Sequence, residues 1–212
     1  RGVRLSWTLK QLLKAAESKQ PIAVTGLPDT MAAYIASKLC ADTGKKVLLI
    51  SGNDLKAAHD AEDGQQLLET GVACLPGGEI DLTRGASSHE SAWRRLEALA
   101  RAQEGDIRLL CTSMDAALQR MGSADRFREE TIRLAPGDRI DLNDLIRRLT
   151  AMGYERVSMV EGKGQCALRG GIIDVYPPAC SQSLRMEFFD DEVDSIREFD
   201  CISQRSLDSV EK

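Results

Sequence analysis

The sequence has few aromatic residues, almost no histidine and no paired cysteines. Aromatic side chains make up 4% of its 212 residues, and the two histidines are His59 and His89. The six cysteines lie far apart, without a C-x-x-C pair, so they do not form a zinc-binding framework with the histidines. We interpret them as reduced core thiols of a cytosolic protein.

The chain also lacks any apolar run near the roughly 20 residues that span a bilayer, and its first residues do not form a signal peptide. Asp and Glu number 33 against 28 Lys and Arg, a net charge of −5, which argues against a domain built mainly to neutralise nucleic-acid phosphates. With 42% hydrophobic and 29% charged residues, the chain is globular rather than disordered. It begins with Arg1 and ends in a polar run, which predicts a fragment of a longer protein.

Hydrophobic periodicity predicts two domains. Over 1–132, short apolar runs alternate with helical spacing, which predicts an α/β domain with a mostly parallel sheet and helices on both faces. Strands are predicted at 22–24, 47–50, 72–75 and 107–111, and helices at 28–39, 54–69, 88–103 and 113–121. The predicted inner face of the helix at 54–69 is Leu55, Ala58, Leu67 and Leu68.

Over 133–206 the pattern changes to a smaller α+β domain rich in strands. One amphipathic helix is predicted at 141–152, and strands are predicted near 155–160, 164–169, 172–176, 183–189 and 192–198. Residues 207–212 are interpreted as the start of the next segment.

The first strand and helix meet where a phosphate-binding loop would lie. Such a loop needs G-x-x-x-x-G-K-[ST], because lysine contacts the β- and γ-phosphates and the hydroxyl holds Mg²⁺. Here Gly26 is followed by Leu, Pro28, Asp29, Thr30 and Met, so lysine and the second glycine are missing. Pro28 also removes an amide donor, and Asp29 would repel a phosphate. We therefore expect this loop to be degenerate and to bind no nucleotide cofactor.

Other candidate motifs have plainer explanations. The run from Met186 to Glu192 is similar to a strand that ends in catalytic acids, but Asp190-Asp191 lies between two strand-like runs and is better explained as a hairpin turn. The arginine pairs 94–95 and 147–148 are typical of solvated helix faces. The sequence predicts no metal site and no catalytic residue.

Period-two alternation in the second domain predicts an exposed cluster. In 184–189 it places Arg185, Glu187 and Phe189 on the face opposite Leu184, Met186 and Phe188, and in 165–169 it turns Arg169 outward. Arginine and aromatic residues are enriched at the energetic centres of protein interfaces. Alternation alone leaves an alternative open, in which the helix at 141–152 covers Phe189 and the arginines only form surface salt bridges.

The second domain resembles a bacterial protein family. The resemblance is carried by Gly153-Tyr154-Glu155-Arg156-Val157, Val160-Glu161, Gly164, the run from Leu168 to Pro178, and the run from Arg185 to Ser206. This pattern is similar to the amino-terminal region of transcription-repair coupling factors and, more distantly, to UvrB of nucleotide excision repair. UvrB has an intact phosphate-binding loop and a tyrosine-rich hairpin, whereas this chain has neither and contains three tyrosines. Loop 76–90 departs from the family, in which an aromatic-rich stretch is usual.

The resemblance implies a docking function in the bacterial cytoplasm. In the family, the first domain is a degenerate copy of UvrB domain 1a, and the β-rich domain binds UvrA through positions that fall on Arg169, Arg185 and Phe189; Glu187 is added on alternation alone. The same surface is held closed in the full-length proteins by another segment. ATP, Mg²⁺, RNA polymerase and double-stranded DNA would be bound by parts beyond Lys212, and we expect the chain itself to be monomeric and without ATPase activity.

Two alternatives belong to other functional classes. The chain could be an ATP-binding fragment of a UvrB-like helicase, or a DNA-binding module that uses Arg94, Arg95, Arg147 and Arg148. Stabilisation by ATP would favour the first, and an affinity for DNA that falls steeply with salt would favour the second.

Overall fold

The computed structural model describes residues 9–16, 21–77 and 89–209, which belong to two compact units. The first unit is Arg1–Gln119 and the second is Arg120–Lys212. This division lies before the predicted boundary between 132 and 133, since Ile132 already packs against the core of the second unit. Among the described residues, no helix combines the length and the apolar character needed to cross a membrane.

The first unit is a β/α fold with a parallel sheet, as its alternating periods predict. Its elements are α1 (Leu9–Ala16), α2 (Met31–Thr43), β1 (Val47–Ser51), α3 (Asp54–Leu68), β2 (Val72–Leu75), α4 (His89–Glu104), β3 (Leu109–Ser113) and α5 (Met114–Leu118). The described strands are parallel in the order β1-β3-β2. Helices α2 and α3 pack on one face around Leu109, and α4 packs on the other face through Ala98. The prediction of helices on both faces is confirmed.

The predicted strand at 22–24 is wrong. These residues are exposed and have no strand pairing in the described structure. The apolar run is only three residues long, and it follows Pro21, which has no amide for a strand ladder. The helix predicted at 113–121 is shorter in the structure, where α5 begins at Met114 and ends at Leu118.

Helix α3 packs against the sheet mainly through small side chains, and of the predicted leucines only Leu68 is buried. Leu55 and Leu67 are exposed, whereas Ala57, Ala61 and Gly64 are buried at helical spacing with Leu68. Small residues allow the helix to lie close to β3. The prediction failed because it ranked side chains by hydrophobicity and took no account of this close approach.

Replacing Gly64 with alanine should destabilise the first unit. In an open helix this change gains up to about 1 kcal/mol of helix propensity. Here the added Cβ would lie 2.8 Å from Leu109 Cδ2, in a fully buried part of the core. We expect a net loss of about 1–2 kcal/mol in the free energy of unfolding, as is typical of overpacking. Urea unfolding followed by tryptophan fluorescence measures it, with Gly52→Ala of the same unit as the control because nothing lies within 4 Å of its added Cβ. An unchanged midpoint in Gly64→Ala would contradict the argument.

The second unit is built on a mostly antiparallel sheet. Its elements are α6 (Ala124–Glu130), α7 (Leu142–Ala151), β4 (Glu155–Arg156), β5 (Gln165–Arg169), β6 (Ile172–Val175), β7 (Ser183–Phe189), β8 (Glu192–Phe199) and β9 (Ser206–Ser209). The strand order is β4-β5-β6-β7-β8-β9, and β4 is parallel to β5 while the remaining pairs are antiparallel. Helix α6 and strand β9 were not predicted. Because β9 pairs with β8, the sheet continues past the predicted domain end at residue 206.

Helix α7 covers one face of this sheet. Its carboxylate cap is Asp141, which accepts the Asp144 amide at 2.9 Å. From α7, the side chains of Leu145, Ile146 and Leu149 pack against a core that includes Met186 of β7. The opposite face carries a smaller apolar cluster of Val160, Ala167 and Phe199.

Candidate interaction surface

The four predicted partner-binding residues share the face of the second sheet opposite α7. In β7, Met186 lies in the core under α7, so its neighbours Arg185 and Glu187 point to the other side. Strand pairing aligns Arg169 with Ile172 and Ile172 with Glu187, which places Arg169 on the same side. We call this side the arginine face and define it by Arg169, Asp174, Arg185, Glu187 and Arg197.

Phe189 is the most exposed of the predicted residues. Its side chain is 82% exposed at the end of β7, beside the turn in which Asp190 has a φ of 59°. It borders a shallow groove of about 370 Å³ whose lining is Gly171, Ile172, Glu187, Phe188, Phe189 and Asp194. Because α7 packs on the opposite face, the alternative in which that helix covers Phe189 is wrong. An exposed aromatic ring beside a groove is suited to insertion into a partner.

The centre of the arginine face is a buried carboxylate. The side chain of Asp174 is 0% exposed, and its Oδ2 accepts a hydrogen bond from Arg169 Nη2 at 2.5 Å. Arg185 donates to both oxygens of the same carboxylate, from Nε to Oδ1 at 2.7 Å and from Nη2 to Oδ2 at 3.0 Å. Two guanidinium groups therefore compensate one buried charge.

The expectation that Arg185 is exposed is wrong. Its side chain is only 13% exposed, and its guanidinium carbon lies 4.6 Å from the centre of the Phe199 ring. It also donates from Nη1 to the Gln204 carbonyl at 3.3 Å. The hydrogen bonds with Asp174 raise the pKa of Arg185 further above its ordinary value. Arg185 is thus part of the structure of this face as well as part of its surface.

Arg169 and Glu187 remain accessible. The Arg169 side chain is 43% exposed, and since a guanidinium has five N–H donors, its bond to Asp174 leaves others available for a partner carboxylate. Glu187 is half-buried and accepts a hydrogen bond from Ser195 Oγ at 3.2 Å. The arginine face thus carries both basic and acidic groups. Phe189 lies two residues after Glu187 on β7, and both line the same groove.

Sequence reasoning missed Asp174 and Arg197. Asp174 alternates with Ile173 and Val175, which lie in the core under α7, so the same period-two rule places its carboxylate on the arginine face. Arg197 is aligned with Arg185 across the antiparallel pair β7 and β8. The signal for Asp174 was the alternation already used for Arg169 and Arg185. The buried residues of β8 lie three apart at Val193, Ile196 and Phe199, so alternation alone does not place Arg197.

The residues of the loop that is predicted to be a degenerate phosphate-binding loop are exposed and precede α2. Gly26 has a φ of 80°, and Thr30 occupies the N-cap position of α2 without a side-chain cap bond. The carbonyl of Pro28 accepts the Met31 amide at 3.0 Å, and the carbonyl of Asp29 accepts Lys56 Nζ of α3 at 2.9 Å. The absence of nucleotide binding at this loop stays a prediction. Most of loop 76–90, residues 78–88, lies outside the described residues.

The other motifs behave as ordinary structural features. Asp190 and Asp191 form the turn between β7 and β8, as predicted. Arg95 Nη1 donates to the Pro76 carbonyl at 2.5 Å, and Arg147 pairs with Asp144 on the same helix. No group of three or more His, Cys, Asp and Glu side chains that could hold a metal ion occurs in the described part of the chain.

Comparison with known proteins relates the chain to one family. The UvrB interaction domain family matches residues 132–212. The chain is 31% identical over 189 residues to the transcription-repair-coupling factor of Bacillus subtilis, an alignment that covers 88% of this chain and 16% of the relative. It is 36% identical over 199 residues to that of Staphylococcus haemolyticus, with 91% and 17% covered, and 34% identical over 206 residues to that of Staphylococcus epidermidis, with 94% and 17% covered.

The chain therefore spans about a sixth of the length of these relatives, and its similarity to them runs through both of its units. The family match contains β4 to β9 and all residues of the arginine face. Residues 132–212 thus belong to the UvrB interaction domain family, within a chain that is related to the transcription-repair-coupling factors.

Proposed function

We propose that this chain is a non-catalytic docking module that binds the excision-repair protein UvrA through the arginine face and Phe189. The observation that carries the proposal is the exposed Phe189 ring on the same strand as Arg185 of the guanidinium cluster, within the segment that matches the UvrB interaction domain. An aromatic anchor beside arginines is the composition typical of binding hot spots.

The geometry favours protein docking over catalysis. The two carboxylates of the arginine face already have partners: Asp174 is bound by two arginines and Glu187 by the Ser195 hydroxyl. The groove beside Phe189 is shallow and open, which suits a protein side chain better than an enclosed small substrate.

In a full-length transcription-repair-coupling factor, this docking would recruit UvrA to a stalled RNA polymerase. The ATP-driven translocation along double-stranded DNA and the contact with the polymerase would then belong to other parts of such a protein. The relatives are about six times longer than the aligned segment, which leaves room for these activities outside it.

Calorimetric titration of the chain with purified UvrA tests the proposal. We expect saturable binding, weakened about 10- to 100-fold by Arg169→Ala, since this change removes accessible donors while Arg185 still neutralises Asp174. Arg148→Ala is the matched control, because Arg148 is exposed on α7 and α7 lies on the opposite face of the sheet. No binding by the unmodified chain would refute the function, and equal affinities of the folded Arg169 and Arg148 variants would refute the surface.

A further inference from the structure

Arg197 is a basic group on the arginine face without an intramolecular counter-charge among the described residues. It is exposed on β8 and aligned with Arg185 across the strand pair. Arg169 and Arg185 are bound to Asp174, whereas none of the ion pairs between described residues includes Arg197. A partner carboxylate can therefore pair with Arg197 without breaking an existing bond.

The turn after β8 exposes an isoleucine to solvent, and hydrogen bonds to Asp200 order the backbone of this turn. Ile202 is 91% exposed. Asp200 Oδ1 accepts the amides of Ile202 at 2.9 Å and Ser203 at 2.6 Å, and the Asp200 carbonyl accepts the Gln204 amide at 2.7 Å. The hydrogen bond from the Ser203 amide lowers the pKa of Asp200, so the carboxylate that holds the turn stays ionised at neutral pH.

The same turn is tied to the arginine face. Gln204 Nε2 donates to the Val160 carbonyl at 3.1 Å, and Cys201 packs with Val160 and Phe199 in the apolar cluster of that face. The Gln204 carbonyl accepts Nη1 of Arg185. The surface is therefore continuous from Arg185 into the turn that carries Ile202.

We propose that the docking surface extends across β8, with Arg197 pairing with an acidic group of the partner and Ile202 entering an apolar pocket of the partner. This inference rests on the proposed function, so the partner is UvrA. The surface would run along β7 from Phe189 to Ser183, which is paired with Phe199 just before the turn that carries Ile202. These six residue steps of the strand cover about 20 Å at roughly 3.3 Å per residue. A standard interface of about 800 Å² per partner, centred on Arg185, is wide enough to include both Phe189 and Ile202.

An exposed isoleucine in a pre-ordered turn can anchor a partner at a small cost in conformational entropy. Its backbone is already fixed by the Asp200 bonds, so binding costs little additional conformational entropy. Arg197 adds an attraction that is screened by salt, while the contribution of Ile202 is apolar and changes little with salt. The two residues therefore have different signatures in a binding experiment.

The test is titration of UvrA with Arg197→Glu and Ile202→Ser variants of the chain at two salt concentrations. We expect each change to weaken binding about 10-fold or more, as for residues inside an interface. The loss for Arg197→Glu should shrink at high salt, whereas the loss for Ile202→Ser should persist. Arg148→Glu and Met152→Ser are the matched controls, since both side chains are exposed at α7, on the helix-covered side. Circular dichroism establishes that all four variants are folded.

The outcomes separate this inference from the proposed function. If Arg169→Ala weakens UvrA binding while folded Arg197→Glu and Ile202→Ser bind within about twofold of the unmodified chain, the extension over β8 is overturned and the docking function stands. If the unmodified chain does not bind UvrA, both are overturned.

Discussion

Replacing Arg185 with glutamate should unfold the second unit, or leave it close to unfolding, by removing about 3–5 kcal/mol from its free energy of unfolding. The guanidinium is largely buried and forms two hydrogen bonds with the fully buried Asp174. A glutamate there would face a buried like charge, and of the two arginines bound to Asp174 only the exposed Arg169 would be left. The measurement is urea unfolding by far-ultraviolet circular dichroism. Tryptophan fluorescence serves as an internal control, since Trp7 and Trp93 both belong to the first unit.

Two further variants make this expectation specific. Arg185→Lys keeps the charge but loses the planar fork that binds both carboxylate oxygens, so a smaller loss of stability is expected. Arg148→Glu reverses an exposed charge on α7 and should change stability by less than about 0.5 kcal/mol. A folded Arg185→Glu variant with an unchanged unfolding midpoint would show that the Asp174 cluster does not stabilise the fold.

This expectation changes how binding data at Arg185 are interpreted. A loss of UvrA binding in Arg185→Glu would follow from unfolding alone and would not identify Arg185 as a contact. Arg169 and Phe189 are more informative positions, because their side chains are accessible and their replacement leaves the Arg185–Asp174 pair intact.

The sequence predicted which face each residue of β7 occupies, but it did not predict how buried Arg185 is. The side of the sheet on which a residue lies follows from alternation within one strand, and the core position of Met186 fixes which side that is. Burial of Arg185 depends on Asp174, which lies on the neighbouring strand at the aligned position. Strand order and pairing register set that contact, and neither can be obtained from the period of a single strand.

The errors in the first unit have a related cause. Besides the predicted Leu68, the buried face of α3 includes Ala57, Ala61 and Gly64, which carry little hydrophobic signal although their spacing is helical. The run at 22–24 carries a hydrophobic signal but no partner strand in the described structure. Long elements with strong periodicity, such as α7 and β7, were predicted within one residue at each end.

Replacing Phe189 with alanine should abolish most of the UvrA affinity while leaving the fold intact. The ring is 82% exposed, so its removal costs little packing energy, and the free energy of unfolding should change by less than about 1 kcal/mol. If Phe189 is the aromatic anchor of the interface, its loss should cost at least about 2 kcal/mol of binding free energy, roughly a 30-fold rise in Kd. Calorimetry with UvrA and urea unfolding of the same protein provide both numbers.

The adjacent Phe188 is the matched control for this experiment. It has the same side chain on the same strand, but it packs against the core under α7. Phe188→Ala should therefore lower the free energy of unfolding by up to about 3 kcal/mol. Because Phe188 also lines the groove beside Phe189, the folded fraction should lose some UvrA affinity, but less than Phe189→Ala loses. Opposite results at two neighbouring phenylalanines would separate a contact from a packing effect. If Phe189→Ala binds UvrA as tightly as the unmodified chain, the exposed ring is no anchor, and the docking surface would have to rely on its charged groups alone.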